Sequence, residues 1–126
     1  MVKATLMLVE DDRSTLMLLQ TLLELEGFRV LVSENLSDID TLLAGIRADK
    51  PDLLLVDVHL RKYSGLDLVR QLRQGGEIGS TRVLMTSGME MNEECFQAGA
   101  DAFLLKPFVP DDLVGRINEL LTPSRG

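Results

Sequence analysis

The chain has 126 residues, which suits one domain, and 45% of them are hydrophobic, enough to form a core. Its net charge of -7 argues against direct nucleic-acid binding by this domain, because a phosphate backbone would be repelled. The single cysteine, Cys95, excludes an internal disulfide, and no secretory signal or membrane-spanning apolar run is visible, so we expect a cytoplasmic protein.

The first part of the chain alternates apolar runs with helical patterns. Residues 5–9, apolar from Leu6 onward, predict a first strand, and leucines at helical spacing then predict a helix that Gly27 ends. Residues 28–32 predict a second strand. Apolar residues three and four apart predict a second helix over about 36–48, and Pro51 lies beyond its end, where it could not continue the helix.

The same alternation continues to the C-terminus. We predict, in order, a strand at 53–56, a helix closed by Gly75-Gly76, a strand at 82–86, a short helix near 91–98 that ends at Gly99, and a strand at 102–105. Pro110 begins the last helix, whose apolar residues suit either core packing or contacts in a homodimer. Val109 precedes it and offers no side-chain cap. Residues 1–122 are expected to form one domain, and 123–126 a tail or the start of a linker.

Five strand–helix units with short connections indicate a parallel sheet with helices on both faces. We therefore predict an α/β fold with a doubly wound, five-stranded parallel sheet in the flavodoxin-like order 2-1-3-4-5 and five helices. In such sheets, ligands bind beyond the carboxyl ends of the strands. The predicted order makes strands 1 and 3 neighbours at the topological switch point.

Acidic side chains follow the first and third strands. Glu10 and Asp11 come directly after residues 5–9, and Asp57 comes directly after residues 53–56. If they are gathered in one pocket about 4 Å apart, each pair of carboxylates would repel by about 4 kcal/mol, so the cluster needs a cation or shared protons. Carboxylate oxygens are ligands that suit Mg²⁺. The sequence therefore predicts a magnesium site at this edge of the sheet.

A lysine and a serine are expected at the same edge. Lys106 follows the fifth strand and precedes a proline, and Ser87 ends the fourth strand. A carboxylate such as Asp57 can attack phosphorus to give an acyl phosphate. The ammonium would neutralise a phosphoryl oxygen, and the hydroxyl could donate a hydrogen bond to another. The set is that of a site for phosphoryl transfer.

Four segments and one glycine form a pattern that extends over most of the chain. They are LMLVEDD at 6–12, LLLVDVHL at 53–60, Gly65, VLMTSG at 83–88 and GADAFLLKPF at 99–108. In this order and spacing, the chain resembles a response-regulator receiver domain of two-component signalling. The resemblance implies a signalling switch and not an enzyme. Such a switch accepts a phosphoryl group from a histidine kinase or histidine phosphotransfer protein, and then acts on a downstream effector protein or a fused output domain.

The resemblance also implies a role for each residue of the acidic cluster. Asp57 would be the phosphoacceptor. Asp11 would ligate Mg²⁺ directly, and Glu10 would act largely through a bound water. The backbone carbonyl of His59 would complete the protein ligands, and Lys106 would be the lysine that contacts the phosphoryl group.

Further residues match positions that respond to phosphorylation in this family. The hydroxyl at Ser87 would shift toward the phosphoryl group, and the ring at Phe103 would turn inward, remodelling the face made by helix 4, strand 5 and helix 5. Phe103 lacks a tyrosine hydroxyl and equally suits the core. The side chains of His59 and Met89 would flank the phosphoryl group and influence access of water. Arg61 stands where the family often has proline.

Two enzyme or carrier classes fit less well. A haloacid-dehalogenase-like phosphatase would have a second acid two residues after Asp57, where His59 stands. A flavin carrier would offer hydroxyls and glycines to a phosphate after the first strand, where Glu10 and Asp11 would repel it. A receiver that binds partners without being phosphorylated remains the alternative.

Overall fold

The computed structural model describes residues 3–33, 38–75 and 80–122, so the predicted positions Gly76 and 123–126 lie outside the described residues. The elements are β1 (Thr5–Val9), α1 (Arg13–Leu25), β2 (Arg29–Val32), α2 (Ile39–Asp49), β3 (Leu53–Asp57), α3 (Gly65–Gln74), β4 (Arg82–Ser87), α4 (Asn92–Ala98), β5 (Ala102–Leu105) and α5 (Pro110–Leu121). All strand pairs are parallel, and the order β2-β1-β3-β4-β5 confirms the predicted doubly wound fold. Within the described ranges, no helix has the length and apolar character needed to cross a bilayer.

Strands β3 and β4 each run one residue further than predicted, and two other boundaries differ for local reasons. Helix α2 begins at Ile39, later than predicted, because the Asp38 carboxylate caps it by accepting a backbone N–H of the first turn. Positions 36 and 37 lie outside the described residues. Strand β2 begins at Arg29 and not at Phe28, because the N–H of Phe28 still bonds to the end of α1 and its side chain is buried in the core.

The strands consist mostly of apolar residues because both faces of the sheet are covered. In β1, Leu6 and Leu8 pack into a cluster with residues of α1 and α5. The alternate residues, Met7 and Val9, pack into a second cluster with residues of α2, α3 and α4. The two clusters bury successive residues on opposite sides, which explains the continuous apolar runs in the sequence.

The register of the sheet brings the ends of four strands to one edge. Strands β1 and β3 pair through Val9 and Val56, so the next residue of each strand, an acid in both cases, lies beside the other. Strands β4 and β5 pair through Ser87 and Leu105, and the next residue of β5 is Lys106. The amide N–H of Lys106 donates to the Ser87 carbonyl at 2.8 Å, which fixes the lysine at this edge.

Candidate functional site

One ammonium lies between two carboxylates at the carboxyl edge of the sheet. Nζ of Lys106 is 3.0 Å from Oδ2 of Asp57 and 3.4 Å from Oε1 of Glu10. The side chains of Glu10 and Asp57 are only 7% and 12% exposed, so little water screens these contacts. The peptide bond between Lys106 and Pro107 is cis. The three side chains form a partly buried, hydrogen-bonded charge cluster.

Burial, neighbouring charges and hydrogen bonds shift the pKa values of Glu10 and Lys106 in this cluster. Burial raises the pKa of Glu10 above its usual 4.5, and the charge of Asp57 adds to this, while hydrogen bonds from the Asp12 amide and Lys106 oppose it. Burial disfavours the Lys106 ammonium, but its hydrogen bonds to and the charges of Asp57 and Glu10 outweigh that cost and raise its pKa above 10.5. The lysine is therefore charged at neutral pH.

Backbone N–H groups after β3 hold two further carboxylate oxygens. The N–H of His59 donates to Oδ1 of Asp57 at 3.0 Å, and the N–H of Arg61 donates to Oδ2 of Asp11 at 2.6 Å. The contact to Arg61 was not predicted from the sequence. A backbone donor is present at every residue except proline, so the residue type gives little sign of which amide will serve.

Ser87 is fully buried, and its hydroxyl is surrounded by groups from two loops. Its Oγ accepts the N–H of Met89 at 3.0 Å and lies 3.1 Å from Nε2 of His59 and 3.7 Å from Sδ of Met91. The sequence analysis expected His59 and Met89 to flank the phosphoryl group. In the structure the His59 ring contacts the serine hydroxyl, and the Met89 side chain is exposed.

Phe103 lies inside the molecule on strand β5. It is 8% exposed and belongs to the cluster that packs against α4, with Cys95 and Ala98. Its carbonyl oxygen accepts a hydrogen bond from the Arg116 guanidinium of α5 at 3.2 Å. The residue thus connects the buried core to both helices of the surface that the sequence analysis associated with switching.

The donor set suits a hard cation. Among the described residues, no three acidic, histidine or cysteine side chains are grouped so that they could hold a metal ion as they stand. Asp11 is bonded to the Arg61 amide, and Lys106 is bonded to Glu10 and Asp57. The carboxylates of Glu10 and Asp57 nevertheless share a single ammonium, and the excess negative charge together with the oxygen ligands fits Mg²⁺.

The amino-acid sequence matches one protein family and several of its members. The chain matches the family model of the response regulator receiver domain over residues 6–118. It is 39% identical over 122 residues to the transcriptional regulatory protein CpxR of Escherichia coli (strain K12), covering 94% of this chain and 50% of that protein. It is 32% identical over 120 residues to the alkaline phosphatase synthesis transcriptional regulatory protein PhoP of Bacillus subtilis (strain 168), covering 94% and 49%. The chain thus spans about half the length of these relatives.

Solved structures agree with this match. The chemotaxis protein CheY4 of Vibrio cholerae superposes with a TM-score of 0.82 at 25% identity, covering 94% of this chain and 98% of that one. A response regulator from Thermotoga maritima superposes with a TM-score of 0.75 at 30% identity, covering 94% and 98%. The similarity therefore extends over nearly the whole chain in both sequence and fold.

Proposed function

The chain belongs to the response regulator receiver domain family of two-component signalling, and from this premise we propose that it is a phosphoacceptor switch whose reacting group is Asp57. Receiver domains are signalling domains, which separates them from conventional enzymes. The observation that carries the proposal is the position of the Asp57 carboxylate, at the carboxyl end of a central strand and 3.0 Å from the Lys106 ammonium.

The proposed reaction transfers a phosphoryl group from a phosphohistidine donor. A carboxylate oxygen of Asp57 forms a new P–O bond, the P–N bond of the donor breaks, and the histidine nitrogen keeps that electron pair. Lys106 would neutralise charge on a phosphoryl oxygen, and the Ser87 hydroxyl would donate to another. The protein's contribution is mainly positioning and charge neutralisation, because the donor already carries an activated phosphoryl group.

The acidic cluster would also hold Mg²⁺, which generally accompanies receiver domains. Its ligands would be carboxylates of Asp11 and Asp57, the backbone carbonyl of His59, and Glu10 through a water. When bound, the ion would supply positive charge that offsets the charge of the carboxylates and of the phosphoryl group. The chain's own residues would still set the orientation of the attacking carboxylate, through the His59 amide on one oxygen and Lys106 on the other.

The phosphorylated state would be read at the face made by α4, β5 and α5. Phe103 belongs to the core beside α4, and its carbonyl accepts a hydrogen bond from Arg116 of α5. A change at Ser87 on the neighbouring strand could therefore alter this face. A histidine kinase or histidine phosphotransfer protein would supply the phosphoryl group in the cytoplasm. A downstream effector or a fused output domain, or a second copy of the chain, would read the outcome.

A direct test uses acetyl phosphate as the phosphoryl donor. The protein would be incubated with acetyl phosphate and Mg²⁺ and its intact mass measured. We expect the mass of one phosphoryl group to be added, and Asp57→Asn to abolish the addition. Asp52→Asn makes the same chemical change at the opposite end of β3, where its carboxylate accepts the Thr5 amide, and should still be phosphorylated.

The alternative is a module that binds partners without being phosphorylated. No added mass on the wild-type chain under these conditions would favour that reading over the proposed switch. A mass increase that persists in Asp57→Asn would instead show that another residue accepts the phosphoryl group.

A further inference from the structure

His59 contacts both the proposed phosphoacceptor and the serine at the end of the neighbouring strand. Its backbone N–H donates to Oδ1 of Asp57 at 3.0 Å, and its ring Nε2 lies 3.1 Å from Oγ of Ser87. One residue therefore connects the loop after β3 to the end of β4. This inference rests on the proposed function, because it concerns how Ser87 reaches the phosphoryl group.

The Ser87 hydroxyl is already engaged in the resting structure. Its oxygen accepts the Met89 amide, and its remaining close neighbours are the His59 ring nitrogen and the Met91 sulfur. A hydroxyl carries one proton and can donate it to one acceptor at a time. Whichever ring nitrogen is protonated, the hydroxyl either donates to the imidazole or accepts from it. Moving the hydroxyl toward Asp57 would break this contact in both cases, so the contact opposes the move.

The backbone around His59 is held by contacts with the start of α3. His59 forms an antiparallel bridge with Ser64, and the Ser64 hydroxyl caps α3 by accepting the N–H of Leu66. The N–H of Gly65 donates to the carbonyl of Val58 at 2.8 Å. The loop is thus closed on the start of a helix, so the fold fixes the backbone from which the exposed His59 ring reaches Ser87.

We propose that His59 is a positioning residue whose imidazole retains the Ser87 hydroxyl in the unphosphorylated protein and so slows its move to the phosphorylated Asp57. The device is a single side-chain hydrogen bond between the loop after β3 and the end of β4. Its release would be coupled to phosphorylation because the same residue's amide already binds the carboxylate that reacts.

Two variants of similar size separate the hydrogen bond from the bulk of the ring. His59→Gln keeps a polar group that can reach Ser87, whereas His59→Leu fills similar space without one. We expect His59→Leu to be phosphorylated by acetyl phosphate about 2- to 10-fold faster than His59→Gln, the factor that corresponds to one ordinary hydrogen bond. Comparing the two variants with each other removes most of any effect of ring size on access to the site.

A double-mutant cycle tests whether the difference acts through Ser87. In a Ser87→Ala background, the rates of His59→Leu and His59→Gln should become equal, because the hydroxyl of the proposed contact is gone. Equal rates in the Ser87 background, or a ratio that persists in Ser87→Ala, would overturn the proposal.

The resting contact can also be measured without phosphorylation. His59 is the only histidine in the sequence, so its ring nitrogens give unambiguous NMR signals in an untagged protein. Ser87→Ala should shift the Nε2 resonance, whereas Arg61→Ala, an exposed side chain in the same loop, should leave it nearly unchanged. An Nε2 resonance that does not shift in Ser87→Ala would refute the contact. If the wild-type protein accepts no phosphoryl group, the proposed function fails, while this measurement still decides the contact.

Discussion

The ammonium nitrogen of Lys106 lies 3.0 Å from Oδ2 of Asp57, a contact between residues 49 positions apart in the chain. The same ammonium reaches Glu10 at 3.4 Å, so one cation serves two buried carboxylates. Because the carboxylates lie at the ends of adjacent strands, the charge cluster depends on the lysine for its balance. This dependence can be tested by removing the lysine.

Replacing Lys106 with methionine should destabilise the protein. The change leaves Glu10 and Asp57 buried without their cation, and we expect the free energy of unfolding to fall by about 1.5–3 kcal/mol at neutral pH, the range for hydrogen bonds to charged groups. Adding Asp57→Asn should restore part of that loss, because it removes one of the two repelling charges. Urea unfolding in the presence of a chelator measures both effects.

Lys62→Met is the matched control, since Lys62 is an exposed lysine in the loop after β3. It should change the free energy of unfolding by little. If the Lys106→Met, Asp57→Asn double variant is no more stable than Lys106→Met, the two residues are not coupled as described.

Magnesium should stabilise the native protein through the acidic cluster. At a Mg²⁺ concentration about 100 times its Kd, binding to the native state alone would add about 2.7 kcal/mol, seen as a higher Tm. Asp11→Asn should remove most of this rise. Asp67→Asn makes the same change on α3, away from the site, and should keep it. A wild-type Tm that does not respond to millimolar Mg²⁺ would contradict the proposed metal site.

Gly65 should not tolerate a larger side chain. A Cβ at this position would overlap the carbonyl oxygen of Asp57 and press on the backbone of Val58. We expect Gly65→Ala to lower the free energy of unfolding by about 1–3 kcal/mol and to slow phosphorylation, because the loop that holds Asp57 must move.

The control for that substitution is Gly115→Ala in the middle of α5, where a Cβ would meet nothing within 4 Å. It should stabilise the protein by about 0.5–1 kcal/mol, since alanine is the better helix former. Urea unfolding and the acetyl phosphate assay on both variants test the prediction. Equal behaviour of the two variants would mean that the loop adapts to the methyl group.

The start of α5 lacks a side-chain cap and can be improved. Val109 occupies the N-cap position with extended backbone angles, makes no capping hydrogen bond, and is 57% exposed. Val109→Ser should raise the free energy of unfolding by about 1 kcal/mol relative to Val109→Ala, because the hydroxyl can accept a free N–H of the first turn. Thermal or urea unfolding of the pair gives the difference. A serine variant no more stable than the alanine variant would show that another group already satisfies this helix end.

The buried thiol of Cys95 should make stability fall at high pH. Burial, together with the charges of Glu94 and Glu90, raises its pKa from 9.0 to about 11. The folded protein thus holds this proton more tightly than the unfolded chain, so the thiol's contribution to stability decreases as the pH rises above 9. Between pH 8 and 10, the stability of the wild type relative to Cys95→Ala should fall by about 1 kcal/mol.

Unfolding curves of the two proteins at several pH values measure this difference, and the pH range cancels any constant cost of the smaller side chain. A difference that stays constant from pH 8 to 10 would mean that the thiol ionises alike in both states.

The sequence by itself determined the order of elements and which residues follow the strands at the sheet edge. Continuous apolar runs predicted strands buried on both faces, and the position of Asp57 directly after such a run predicted a functional carboxylate. The predicted strands and their order are confirmed, since strand burial and strand direction are properties of local pattern, and parallel strands deliver their following residues to one edge. The functional role of Asp57 stays a prediction.

Only the tertiary structure decided which groups touch at that edge. The contact of the His59 ring with Ser87 and the use of the Arg61 amide by Asp11 depend on how two loops close, which local pattern does not encode. The inward position of Phe103 was likewise open in sequence and is set by packing against α4. Side-chain direction and loop closure result from many weak long-range contacts, so they follow from the folded molecule as a whole and not from any one segment.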